Sequence, residues 1–431
     1  MVTWKRLATT EADFEKHFKQ VLRQKEAFMA DLESVVRPIL QAVKEKGDRA
    51  LFEYTKRFDR TSVDERSILV SSDDVEQAYR NMTAEDRDAL SMAAERIEQF
   101  HRAQLEQCSA AVSCRNGTVS EALRPLQRVG VYVPGGKAAY PSSVLMTAIP
   151  ARVAGVGEVI MVSPGTSPQV LAAARIAGVN RIYRAGGAQA VAALAYGTES
   201  IPRVDKVVGP GNRYVETAKR LLFGTVGLDM LAGPSEVLIV ADDSGVPAFA
   251  AADLIAQAEH DEDAVPVLIA TSQQFLAAVE QEVAVQLVAA LRRDIAERSI
   301  ERNGLMIFTP AISTAVELAN RIAPEHLELM VSNPRDILPG ITAAGAVFLG
   351  NYSPVAVGDY TAGPSHVLPT AGTARFFSPL GIHDFIRRMS VIDLSRDEFI
   401  KLEPVARKLA ELEGLDAHAQ ALEKRLHHTG S

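Results

Sequence analysis

The chain predicts an α/β protein: two Rossmann-like domains, each incomplete, doubly wound and built on a parallel sheet, with helical N- and C-terminal extensions. Three observations predict it. From Gln127 onward, short β-branched runs alternate with Gly-containing turns and Ala-rich helical stretches, about every 25–30 residues. A second series of the same texture begins at Glu236. The two flanks carry helical periodicity instead.

Residues from about Glu11 to Gln107 read as mostly helical, with Phe14, Phe18, Val21 and Leu22, and then Val35, Ile39, Val43 and Leu51, at helical spacing. Asp73-Asp74-Val75-Glu76 and Thr83-Ala84-Glu85-Asp86 read as helix starts, where acids suit the positive end of the helix dipole. In the first α/β series, strands at Val129–Val133, Val159–Val162, Arg181–Arg184 and Lys206–Val208 lead into Pro134-Gly135-Gly136, Ser163-Pro164-Gly165, Ala185-Gly186-Gly187 and Gly209-Pro210-Gly211-Asn212. In the second, strands at Val237–Val240, Val265–Ile269, Leu305–Phe308 and Ala346–Leu349 are separated by helices at about Val246–His260, Ser272–Ala296 and Ile312–Ile322. The tail from about Pro379 reads as helical, with Pro404 in a first turn, Gly414 at a C-cap and a short charged helix near Leu415–Arg425. The expected organisation is an N-terminal helical extension (1–25), one α/β domain from 26–128 with 236–378, a second from 129–235, and a C-terminal helical extension (379–431) that packs on something else.

Composition narrows the function classes. Hydrophobic residues at 47% and charged ones at 23% are ordinary globular material. A net charge of −8 without a basic block argues against nucleic acid or an anionic membrane as partner. The start has no apolar segment of the secretory kind, and no apolar run reaches the roughly 18–20 residues that span a bilayer. Cys108 and Cys114 are the only cysteines, too few for a disulfide framework, and no neighbouring His or helix start activates either thiol. A soluble cytoplasmic protein is the expectation.

The chemistry concentrates in Ala323-Pro324-Glu325-His326-Leu327-Glu328, where a carboxylate and an imidazole stand side by side. Such a pair suits a reaction that draws protons from an alcohol and a water in turn. Gly209-Pro210-Gly211-Asn212 follows a strand and opens a helix, a place for phosphate to meet backbone N–H groups or a tight turn alone. Gln257 and His260, three apart on one helix face, could share an ion or form a polar face. Asp359 in Gly358-Asp359-Tyr360 could point into a cleft or close an Asx turn. His427 and His428 read as solvated.

In this order the motifs resemble the histidinol dehydrogenase family. The resemblance is carried by Val208–Val215, Ala232–Val237, Leu254–Asp261, Pro324–Glu328, Gly363–Thr370 and Glu413-Gly414-Leu415-Asp416-Ala417-His418, across nearly the whole chain. It implies oxidation of L-histidinol to L-histidine through an aldehyde-level intermediate with two NAD⁺ reduced, the 129–235 domain binding NAD⁺. It implies Gln257, His260, Asp359 and His418 as Zn²⁺ ligands, one ion per subunit. It implies Ser235, Gln257, His260, Glu325, His326, Asp359, His366, Glu413 and His418 around substrate, and Tyr132, Gln189 and Asn212 on NAD⁺. It further implies a homodimer in which Glu413 and His418 reach the partner subunit's site. One departure is Ser365, where many relatives carry Asn before His366.

Chemically, an imidazole and an amine on the substrate can both replace water on Zn²⁺, which then anchors without redox work. His326 is the expected general base for the alcohol, and Glu325 the group that activates water on the intermediate. A related zinc- and NAD-dependent alcohol dehydrogenase of the sulfopropanediol type is the alternative. A zinc hydrolase is the alternative from another class, opposed by the strand-end glycine turns.

Overall fold

The computed structural model describes residues 2–26, 32–108, 113–114, 119–135 and 139–427; Gly136, Lys137 and His428 of the sequence argument lie outside them. The chain starts with strand β1 (Lys5–Ala8) and five helices, α1 (Phe14–Glu26), α2 (Glu33–Lys46), α3 (Asp48–Tyr54), α4 (Ser72–Asn81) and α5 (Ala84–Cys108). Two short strands follow, β2 (Ser113–Cys114) and β3 (Val119–Pro125). The first α/β series is β4 (Arg128–Tyr132), α6 (Pro141–Val153), β5 (Glu158–Ser163), α7 (Pro168–Ala177), β6 (Arg181–Arg184), α8 (Gly187–Tyr196), β7 (Lys206–Val208), α9 (Arg213–Leu222) and β8 (Gly227–Leu228). Its strands form a parallel sheet of order β6-β5-β4-β7-β8.

The second series is β9 (Glu236–Ala241), α10 (Pro247–Ala258), β10 (Val265–Ala270), α11 (Gln273–Gln286), α12 (Arg293–Asn303), β11 (Leu305–Phe308), α13 (Ile312–Ile322), β12 (His326–Met330), α14 (Pro334–Ile337), β13 (Ala346–Leu349) and α15 (Val355–Tyr360). It makes a six-stranded parallel sheet of order β1-β11-β10-β9-β12-β13. Strand alternation gives that sheet two cores. Val237, Ile239 and Ala241 pack on Leu254 of α10 and Ile300 of α12, while Leu238 and Val240 meet Phe14 and Phe18 of α1 and Leu318 of α13.

Both series belong to one compact unit, Met1–Leu105 with Pro125–Phe385; the other is Glu106–Arg124 with Ile386–Ser431. In the second unit, β14 (Ile386–Ile392) joins β3 and β2 in a small sheet, and α16 (Arg396–Leu412) packs on α17 (Asp416–Leu426). Gly414, at φ 71, ends α16 through the Leu415 N–H to Ala410 carbonyl bond, as its left-handed backbone allows.

Several expectations need correction. The 1–25 segment is not wholly helical, because Lys5–Ala8 pairs in parallel with β11 and extends the sheet edge. Residues 26–128 do not all complete the second series. Val36, Ile39, Leu40 and Val43 of α2, with Leu51 and Ile68, are buried against the first sheet and α8. Their 3.6-residue period announces an apolar face but not which sheet it covers. The tail is not helical from Pro379, since Ile386–Ile392 is a strand, and Pro404 lies inside α16 rather than in its first turn. The expected 272–296 helix is broken into α11 and α12, and β12 was not foreseen.

Candidate active site

Helix α13 is capped by Ala323 in the left-handed region, φ 48, and three residues later, at His326, the chain enters β12. Parallel pairing sets His326 opposite Val237, so Glu325 and His326 meet Glu236 at the amino-terminal edge of the sheet. The Glu236 N–H donates to the Glu325 carboxylate at 2.8 Å, and the Glu236 carbonyl lies 2.8 Å from His326 Nδ1. A carbonyl only accepts, so Nδ1 carries a hydrogen and Nε2 holds the lone pair of the neutral ring. That Nε2 is buried without a hydrogen bond, 3.7 Å from Asp359 Oδ1.

The electrostatics are those of a dry acid–base cluster. Burial lifts the Glu325 carboxyl to about 7, with Glu236 and Asp359 adding to the rise and His326 opposing it. Burial opposes a charged His326 ring, but Glu325 and Asp359 outweigh it and push the imidazole up to about 9. Burial would also raise Asp359; His326, with the rings of His366 and His260, instead holds it below the ordinary carboxylate range. His366 is lowered, chiefly by burial. His326 and Asp359 therefore stand within electrostatic reach of each other and of both Glu325 and His366. Asp359 sits in α15 rather than in the turn expected for it.

Neighbouring elements hold these groups in place. His366 Nδ1 lies 2.9 Å from the Asp359 carbonyl and Nε2 3.3 Å from Ser143 Oγ of α6. Gln257 is buried near the end of α10, and His260 follows in the next turn, its Nδ1 2.8 Å from the Ala256 carbonyl. That bond leaves His260 Nε2 with its lone pair. Ser235 precedes β9, where its carbonyl accepts the Val265 N–H at 2.9 Å. Glu413 and His418 are exposed in the second unit. Among the described residues no group of three or more His, Cys, Asp and Glu side chains is gathered to hold an ion. His260 lies within electrostatic reach of Asp359, and an imidazole, a carboxylate and an amide such as Gln257 are donors of the borderline kind that suits Zn²⁺.

The first sheet presents its carboxyl-terminal edge. The buried Tyr132 hydroxyl, at the end of β4, accepts the Gly187 N–H at 3.1 Å, and burial raises its pKa. Asp59 accepts the Gly186 N–H at 2.9 Å and the Gln189 side-chain amide at 3.4 Å, while the buried Gln189 Oε1 has no partner. Asn212 caps α9, its side chain accepting the Tyr214 and Val215 N–H groups at 3.0 and 3.2 Å.

A family model described as histidinol dehydrogenase matches residues 22–426. The chain belongs to the histidinol dehydrogenase family. It is 50% identical over 421 residues to the histidinol dehydrogenase of Geobacter metallireducens, covering 96% of this chain and 97% of that one. The Geobacter sulfurreducens enzyme is 49% identical, covering 96% and 98%. The crystal structure of histidinol dehydrogenase from Elizabethkingia anophelis superposes with a TM-score of 0.91 at 34% identity, covering 99% of this chain and 98% of that one. These likenesses favour the histidinol dehydrogenase reading over the sulfopropanediol-type alternative.

Within this family framework, Ser365 is a packing residue. It is buried, donates to the Met146 carbonyl at 3.1 Å and accepts the Val367 N–H at 3.2 Å. Sequence reasoning missed Glu236, whose backbone holds both members of the acid–base pair; its place directly after Ser235 in a quoted motif was the available signal. It also missed Asp59 and Ser143, which no spacing marks.

Proposed function

We propose that this oxidoreductase of the histidinol dehydrogenase family converts L-histidinol to L-histidine, reducing two NAD⁺ in turn. The single observation that carries the mechanism is His326. Its Nδ1–H is committed to the Glu236 carbonyl, so Nε2 is the nitrogen that takes the alcohol proton as hydride leaves the carbinol carbon for nicotinamide. Glu325 then removes a proton from the water that adds to the aldehyde-level carbon. The hydrate loses the second hydride to the second NAD⁺ and its remaining proton to the same cluster. The sum is alcohol, water and two NAD⁺ giving carboxylate, two NADH and three protons. Tyr132, Gln189 and Asn212 are the proposed NAD⁺ contacts, with the unpartnered Gln189 Oε1 as the group most in need of one. Ser235, His366 and Glu413 complete the proposed substrate shell.

Gln257, His260 and Asp359 would hold Zn²⁺, with His418 supplied by a second copy of the chain. Bound Zn²⁺ would anchor the imidazole and amine of the substrate and offset the Asp359 charge that favours a protonated His326. A homodimer is supported by α16, where Leu402, Val405, Leu409 and Leu412 form an exposed apolar stripe. The proposed location is the cytoplasm; among the described residues no helix is long and apolar enough to cross a membrane.

The deciding experiment is NADH formation from L-histidinol and NAD⁺ by zinc-loaded protein. Absence of NADH at saturating substrate rejects the reading. Atomic absorption on His418→Ala tests the tail: bound zinc should fall, and wild-type zinc content removes His418 from the ligand set.

A further inference from the structure

The chemistry just described leaves one wholly buried cluster of charges unused. On α9, the Lys219 ammonium lies 2.9 Å from Asp229 and 3.5 Å from Glu216, all three residues being shut away from solvent. Burying charges is costly, and an apolar cluster of equal volume often stabilises a fold as well or better. What the charges offer instead is directional bonding, and their remaining bonds go to the backbone of two segments. Asp229 accepts the Gly209 N–H at 2.8 Å and Lys219 donates to the Gly209 carbonyl at 3.1 Å. Glu216 accepts the Gly211 N–H at 3.0 Å with one oxygen and the Ala232 N–H at 2.8 Å with the other.

The first segment is the turn that ends in Asn212. The second leads through Ser235 to Glu236, whose backbone holds Glu325 and His326. One carboxylate thus bridges the edge that would bind cofactor and the edge that would do the chemistry. We propose that Glu216, Lys219 and Asp229 are a positioning triad that keeps the Gly209–Asn212 turn in register with the Ala232–Glu236 segment, and thereby sets where nicotinamide lies against His326. This rests on the NAD⁺ reading above.

The test uses the zinc-loaded full chain and measures NAD⁺ and L-histidinol dissociation constants, kcat and melting temperature. In Glu216→Gln the side-chain oxygen can accept one of the two N–H groups, and its NH₂ opposes the other. The expected result is NAD⁺ affinity weaker by about tenfold to a hundredfold, with kcat reduced and L-histidinol affinity kept. Asp229→Asn, which weakens the hold on Gly209 alone, should shift NAD⁺ affinity in the same direction and covers the case of a Glu216 variant that does not fold. Unchanged NAD⁺ affinity and kcat in a folded variant, whatever its melting temperature, overturn the proposal, since a purely structural cluster moves only stability. Failure of the unmodified protein to bind NAD⁺ overturns the cofactor reading itself and this inference with it.

Discussion

The two parallel sheets differ in which edge they expose and in what they build there. On the five-stranded sheet the candidate cofactor edge is carboxyl-terminal and made largely of backbone: the turns after β6 and β7, where helix N-termini and glycines gather. On the six-stranded sheet the candidate acid–base groups stand at the amino-terminal edge, on the residues entering β9 and β12 and at the end of α10. The rule that ligands collect at carboxyl ends of open α/β sheets describes the first sheet. The second breaks it, since its site is assembled from ionisable side chains that need burial and mutual contact more than a helix dipole. One edge is suited to hold a dinucleotide, the other to move protons.

Four substitutions sharpen that division. The largest effect belongs to His326→Asn, which should lower kcat by about 10²–10⁴-fold while NAD⁺ affinity is retained. A near-normal kcat would take His326 out of the mechanism. Glu325→Gln comes next, with a loss of about 10²-fold and a changed pH profile. His326 must be neutral and Glu325 ionised, so turnover should fall as pH drops through about 9 and again through about 7, the second limb being the one that Glu325→Gln removes. A profile that keeps this acid limb in the variant assigns the limb to another group.

Gly209→Ala tests the other edge. Gly209 has φ +106, and a Cβ there would strike the Tyr132 carbonyl oxygen. Strain of about 1–3 kcal/mol should appear as a lower melting temperature together with weaker NAD⁺ binding, while L-histidinol affinity stays. Equal loss of both ligands would show that the edges are not separable.

The smallest effect concerns Glu328, a buried carboxyl that accepts the Val355 N–H at 2.9 Å and hydrogen-bonds Asp253 of α10. Burial and the Asp253 carboxyl raise it, so its folded form binds a proton more tightly than its unfolded form. The linked stability is full below the ordinary carboxylate range and is lost as pH climbs through about 8. Glu328→Gln, which imitates the protonated acid, should lose less stability than wild type as pH rises from the ordinary carboxylate range through about 8. Denaturant melts at several pH values give the answer, and a variant as pH-sensitive as wild type rejects the role of Glu328 in that loss.

Much of this was legible from local pattern. Arg181–Arg184, Lys206–Val208, Leu305–Phe308, Ala346–Leu349 and Ile312–Ile322 have the predicted bounds. Each is a β-branched or apolar run between turn residues, or a periodic run with a clear stop. β12 was not legible, because His326-Leu327-Glu328-Leu329-Met330 places two ionisable groups in a central strand. Only their partners, Glu236, Asp359, Asp253 and Val355, make that burial tolerable, and all lie far away in sequence. Pro404 misled for the opposite reason: α16 accommodates an internal proline that a propensity argument would have placed at its start.

Order along the chain was enough to identify the alternating α/β texture, the glycine turns and the family motifs, because each depends on contacts among residues close in sequence. Which sheet α2 covers, which nitrogen of His326 is left to take a proton, and how the Gly209 turn is tied to Glu236 came from the folded chain. Those features depend on burial and on hydrogen bonds between residues tens to hundreds of positions apart, where a periodic pattern carries no information about its partner.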